Sequence, residues 1–116
     1  LDGRVEVSDR YGVWRESRTS GFKATSDAYV AYDRMTNSAT AVVQLESSQA
    51  GAPDRTVEVD GSGSVQVKPP PGGRFEGRPT DAFYQSSAIG SHIRVRPHGP
   101  NVYRIIELVG AWSAVP

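Results

Sequence analysis

Two histidines and a scatter of carboxylates are the residues of this chain whose types suit acid–base or metal chemistry. His92 opens an alternating segment, and His98 sits between Pro97 and Gly99-Pro100. Six residues of extended chain would hold them about 20 Å apart, too far to share a metal ion. A hydrolytic triad also needs a base within hydrogen-bond reach of a nucleophile and an orienting acid, and their spacing supplies none. The acidic residues Asp27, Asp33, Glu46, Asp54, Asp60, Glu76, Asp81 and Glu107 stand singly. A glycosidase needs two carboxylates facing each other across a cleft, for which a small sheet protein has little room. The segment from Asp54 to Asp60 lacks the dense Asp/Asn spacing of a calcium loop. Cysteine is absent, so thiol nucleophiles, zinc-thiolate sites and disulfides are excluded. The expectation is a protein that is not an enzyme and that uses no cofactor and no metal.

Aromatic and arginine side chains are the better candidates for binding. Tyr29 and Tyr32 lie on opposite faces of one alternating segment, so one of them points away from the core. With Trp14, Tyr84, Arg74 and Arg78, such groups are suited to stacking on sugars or packing at a protein surface. Trp14, Tyr32 and Tyr84 are the platforms that a carbohydrate-binding module would use.

The elements that must position these groups are strands. No segment repeats apolar residues at helical spacing over a dozen positions, whereas period-two alternation recurs. Strands are expected at 4–8, 11–14, 27–32, 40–45, 74–77, 80–87, 92–96 and 102–109, with a polar turn at 35–38 and a loop at 46–54. The segment Thr56-Val-Glu-Val-Asp60, Gly61-Ser-Gly63, Ser64-Val-Gln-Val-Lys68 reads as a β-hairpin around an Asp-Gly turn. It is not a phosphate-binding loop, which would end in Gly-Lys-Ser/Thr and open a helix. Pro69-Pro-Pro71-Gly-Gly73 then stops the ladder as a rigid corner. The segment from Val102 to Val109 is the longest and most apolar, which places it centrally or against a partner chain. Trp112 caps it.

Composition sets the outer bounds. The 116 residues carry 13 basic and 13 acidic side chains, so the balance of charge argues against general nucleic-acid binding. The length supports one domain. No apolar run reaches the roughly 18 residues of a membrane-spanning helix, so no membrane insertion is expected, and no secretory leader is evident. Leu1 stands where an initiator Met is expected, which implies a processed chain or a piece of a longer one. Twenty Gly and Pro residues punctuate the strands. Eleven of the 13 basic residues are Arg, a bias that a GC-rich genome accounts for as readily as a use for guanidinium forks.

The order of motifs between Asp27 and Trp112 resembles the distal, C-terminal β-rich modules of tailed-bacteriophage tail fibre and tailspike proteins. The matching pieces are Asp27 to Tyr32, Val43 to Leu45, Ala50-Gly51, Val59 to Ser64, Val65 to Gly73, Phe75 to Gly77, Asn101-Val-Tyr-Arg-Ile-Ile106 and Gly110-Ala-Trp112. They span about three quarters of the chain, and one departure is Glu46, where those modules carry Pro. The resemblance brings no catalytic residue. It implies an all-β virion protein of the fibre or decoration type, assembled as a homotrimer with other virion proteins and within reach of a host surface glycan. Such a protein is assembled in the host cytoplasm and is extracellular after release.

The expected fold is therefore a small antiparallel β-sandwich or β-prism. Residues 1–21 would form an N-terminal strand or attachment segment, and residues 22–116 a single sandwich-like domain. Tyr103, Ile105, Ile106, Leu108 and Trp112 would form the subunit interface, because a thin sheet with an apolar closing strand needs another layer over it. The alternative from a different class is a free carbohydrate-binding module.

Overall fold

The computed structural model describes residues 3–5, 15–24, 32–47 and 51–116. They form twelve strands: β1 (Gly3–Val5), β2 (Arg15–Arg18), β3 (Phe22–Ala24), β4 (Tyr32–Met35), β5 (Ala41–Leu45), β6 (Arg55–Val59), β7 (Val65–Lys68), β8 (Arg74–Phe75), β9 (Phe83–Ser86), β10 (His92–Pro97), β11 (Val102–Val109) and β12 (Ser113–Val115). No helix occurs among the described residues, and the chain is all-β as its alternation indicated. The expected strand at 11–14, residues 6–8 of that at 4–8, residues 27–31 of that at 27–32 and the loop residues 48–50 lie outside the described residues.

The strands form two sheets, ordered β1-β2-β4-β6-β10-β11-β8 and β12-β9-β7-β5-β3. Five of the ten strand pairings are parallel, so the sheets are mixed where the sequence suggested an antiparallel sandwich. From β2 to β7 the chain alternates between sheets, one strand in each per circuit. The result is solenoid-like: β2–β3, β4–β5 and β6–β7 are stacked rungs. Asp33 pairs with Val57, and Val43 with Val67, so the second and third rungs repeat at 24 residues.

This arrangement overturns the hairpin expected at 56–68. β6 and β7 lie in different sheets and are hydrogen-bonded to β4 and β5. The alternation of Val57, Val59, Val65 and Val67 was a sound sign of strands, since all four are buried. What it does not specify is the neighbour. Each pair of valines faces the opposite sheet, and the residues between them turn a corner.

Corners stack as the strands do. The main chain of Asp60 donates to Met35, that of Gly63 to Asn37, and that of Ala41 to Ser64. The Asn37 side chain, 1% exposed, donates from Nδ2 to the carbonyls of Ala39 and Ser64 and so ties the second corner to the third. Gly63 packs so closely on Ala39 that a Cβ there would collide with main-chain atoms.

The rest of the chain continues the stack with its direction changed. β9 pairs antiparallel with β7 and β10 antiparallel with β6, making a reversed fourth rung. β11 and β12 pair antiparallel with β10 and β9 as the fifth. A bulge skips Ile106, since Arg94 opposes Glu107 while Val95 opposes Ile105. The short β8 lies on the far side of β11, parallel to it at Val102 and Tyr103.

One apolar cluster fills the space between the sheets, including Met35, Val43, Leu45, Val57, Val59, Val65, Val67, Phe75, Ile93, Val95 and Tyr103. Met35, assigned to a turn from sequence, is fully buried at the end of β4. Its inward neighbour on that strand is charged: Asp33 is 0% exposed and accepts from Arg18 Nε at 2.9 Å and Arg55 Nε at 3.2 Å. Arg18 also lies 3.7 Å from the centre of the Phe22 ring. Its paired guanidinium groups compensate the Asp33 carboxylate for lost hydration. Residues 15–18 are thus hydrogen-bonded into the same sheet as β4 and β6.

Candidate functional site

The outward face of the first sheet concentrates the charge, and its charges are matched locally. Tyr32 Oη donates to Glu58 at 2.6 Å, and Arg34 lies 3.3 Å from Asp60. Asp54 accepts from Arg96 and Arg94, with Nε distances of 2.8 and 2.9 Å. These bonds, that from Arg96 foremost, hold its carboxyl below the ordinary value although partial burial acts the other way. His92 approaches Glu107 at 3.5 Å, and Glu76 is shared by Arg104 and His98. The histidines thus meet separate carboxylates. Among the described residues, no group of three His, Cys, Asp or Glu side chains is placed to hold a metal ion.

The aromatic and arginine candidates are not gathered into one platform. Tyr32 stands on β4, four strand spacings from Arg74 on β8, about 19 Å across the sheet. Tyr84 faces inward and meets Phe75 edge-on, with ring centres 5.3 Å apart. Arg78 lies 5.9 Å from the centre of that ring, and Arg74 is exposed. Trp14 lies outside the described residues.

The expected interface residues divide into two groups. Tyr103 is 3% exposed and donates its hydroxyl to the Glu46 carbonyl at 2.9 Å, so it belongs to the chain's own core. Ile105, Ile106, Leu108 and Trp112 lie on the fifth rung. Ile105 and Trp112 are half-buried against the core, while Leu108 is 43% and its neighbour Val109 46% exposed. The Trp112 indole donates to the carbonyls of His92 and Val109, fixing the corner after β11.

The fifth rung is also where hydrogen bonding stops. β8 covers β11 only at Val102 and Tyr103, and among the described residues 104–109 have no strand on that side. β12 is likewise the last strand of its sheet. Among the described residues both sheets therefore end together in open edges, beside exposed Leu108 and Val109. An uncovered edge of this kind is a template for pairing with another chain. Sequence pattern marked β11 as the longest and most apolar segment, but not as the last strand of the stack.

On the opposite sheet, sequence reasoning missed an outward row. Lys23 opposes Gln44, and Gln44 opposes Lys68. A groove of about 240 Å³ lies there, lined by Gln44, Lys68, Pro69, Pro71, Asp81 and Phe83. The only advance signal was parity: each strand residue of the row neighbours a buried inward one.

Comparison with known proteins finds no matching family model, no matching curated protein and no matching solved structure. Among the described residues no helix is long and apolar enough to cross a membrane.

Proposed function

We propose that the protein is a non-enzymatic structural module of a bacteriophage virion, of the fibre or decoration type, that assembles with copies of itself. The observation that carries the assembly is the open fifth rung, where two sheet edges and the exposed Leu108 and Val109 coincide. Terminal units of stacked-strand proteins need a polar cap or a partner to stay soluble, and this one has Leu108 and Val109 instead. The virion setting is supported by the order of motifs from Asp27 to Trp112, as is the homotrimer. Other virion proteins are the remaining partners, and a host surface glycan is within reach of a module on the particle exterior.

Sedimentation velocity on the purified chain at high micromolar concentration tests the reading, with a trimer as the expected species. A dimer would retain self-assembly and remove the threefold axis. A stable monomer that binds neither virions nor host cells would overturn the proposal. A free carbohydrate-binding module built on Tyr32 and Tyr84 finds less support, because Tyr84 packs into the core and Tyr32 lies across the other sheet.

A further inference from the structure

The two outer faces treat charge differently. On the first sheet, each carboxylate of the Asp54, Asp60, Glu76 and Glu107 set meets a cation or histidine. On the second sheet stand Lys23 and Lys68, the only lysines in the sequence, on either side of Gln44. Among the described residues neither forms a salt bridge. The Lys68 ammonium rests 4.9 Å from the centre of the Phe83 ring. Two cations that meet no carboxylate among the described residues, on one short row, favour an anionic ligand.

The groove beside them also holds oriented acceptors. Gln44 commits its Nε2 to the carbonyls of Leu45 and Pro69, which leaves Oε1 free to accept. Asp81 has φ of 62°, the one non-glycine positive value among the described residues. Its conformation is held at both ends: Asp81 N donates to the Gly73 carbonyl, and Gly72 N donates to Asp81 Oδ1. Asp81 is among the residues that line the groove. A strained backbone at the rim of a groove is where a functional constraint is to be sought.

Pro69, Pro71 and Phe83 supply apolar walls. About 240 Å³ is below the roughly 300–1,000 Å³ of sites for drug-sized ligands, and so suits a ring-sized group. The combination selects among anions. Inorganic phosphate would satisfy Lys68 but would meet the Asp81 carboxylate and waste the apolar walls. A sugar ring bearing a carboxylate suits these elements: its charge pairs with lysine, its hydroxyls donate to Gln44 Oε1 and the Asp81 carboxylate, and its C–H face lies on the proline wall.

We infer that this groove is a binding site for an acidic saccharide, a uronic-acid or sialic-acid unit of a larger glycan, with Lys68 as the anchor of its carboxylate. Lys23 extends the cationic row toward the next unit. The groove lies on the outward face of the second sheet, and its Phe83 is paired with Val115 of the fifth rung.

Amide-resolved NMR titration of the full chain with an oligogalacturonate, a matched neutral oligosaccharide and inorganic phosphate tests the inference. The acidic oligosaccharide is expected to shift the Gln44 side-chain amide and the main chain around Lys68, Asp81 and Phe83. Lys68→Gln should weaken binding about tenfold, as for one lost charged hydrogen bond, with the rest of the spectrum unchanged. Lys23→Gln should weaken it less, and added salt should weaken it for the native chain. Equal binding of the neutral oligosaccharide would overturn the acidic specificity, and equal binding of phosphate would reduce the site to a plain anion site. Absence of shifts in the groove, or an unchanged affinity in a folded Lys68→Gln variant, would overturn the proposal.

Discussion

The three parallel rungs and the two reversed ones use the same kind of strand to different ends. In the parallel part, β4 and β6 are flanked on both sides, and equivalent inward positions stack in columns such as Met35 on Val59 and Val43 on Val67. Register is uniform, and corner hydrogen bonds reinforce it. The reversed part carries a bulge at Ile106 and finishes with a strand whose outer edge is open beyond Tyr103. Burial is complete where neighbours exist on both sides and fails at the last rung, although β11 is as apolar as any strand before it. Stability is thus concentrated in the first region and the capacity to associate in the second.

Substitutions that distinguish the two regions should differ in size as well as in readout. The largest effect is expected for Asp33→Asn, which removes the buried carboxylate that accepts from Arg18 and Arg55. Chemical denaturation should show a loss of about 3–4 kcal/mol. Leucine truncation separates the regions directly: Leu45→Ala removes a fully buried side chain and should cost about 3 kcal/mol. Leu108→Ala, at a position 43% exposed, should cost the isolated chain under about 1 kcal/mol while measurably weakening self-association in sedimentation. Equal destabilisation by both would mean that the fifth rung is as fully packed as the second.

The smallest expected effect is a pH dependence in the reversed part. The Asp54 carboxyl is lowered from 3.8 by its bonds to Arg96 and Arg94, so it binds protons more readily in the unfolded chain. Its contribution is therefore complete above about pH 4 and is lost as pH falls through the depressed folded value. Both arginines are well exposed, which limits the contribution to less than about 1 kcal/mol. Denaturation midpoints of the native chain and Asp54→Asn should converge on acidification, and a constant difference down to pH 2 would contradict the assignment.

Sequence pattern revealed faces better than neighbours. Val57, Val59, Val65, Val67, Ile93 and Val95 were recognisable as inward residues because period two is a local property. The partner of each strand is not local: Val57 pairs with Asp33, and Val43 with Val67, and an Asp-Gly-Ser-Gly turn serves a corner as well as a hairpin. Met35 was lost to a turn because the other inward position of β4 is Asp33, whose burial depends on Arg18 and Arg55. Tyr103 was grouped with its apolar neighbours, whereas β8 and the Glu46 carbonyl enclose it. The groove draws on residues 44, 68, 69, 71, 81 and 83, a set that only the stacking of rungs assembles.

The 24-residue interval between the second and third rungs makes height a quantity that can change in whole steps. A further 24-residue segment inserted in phase would add one strand to each sheet and lengthen the stack by about 4.8 Å. Its valines would extend existing columns, and its corner would repeat the contacts that Asn37 makes to Ser64. The cross-section would stay constant and the terminal rung would move away from the first strands, whereas a rung inserted between the second and third would part Gln44 from Lys68. Growth by duplication of one rung would thus lengthen the molecule while leaving its terminal surface intact.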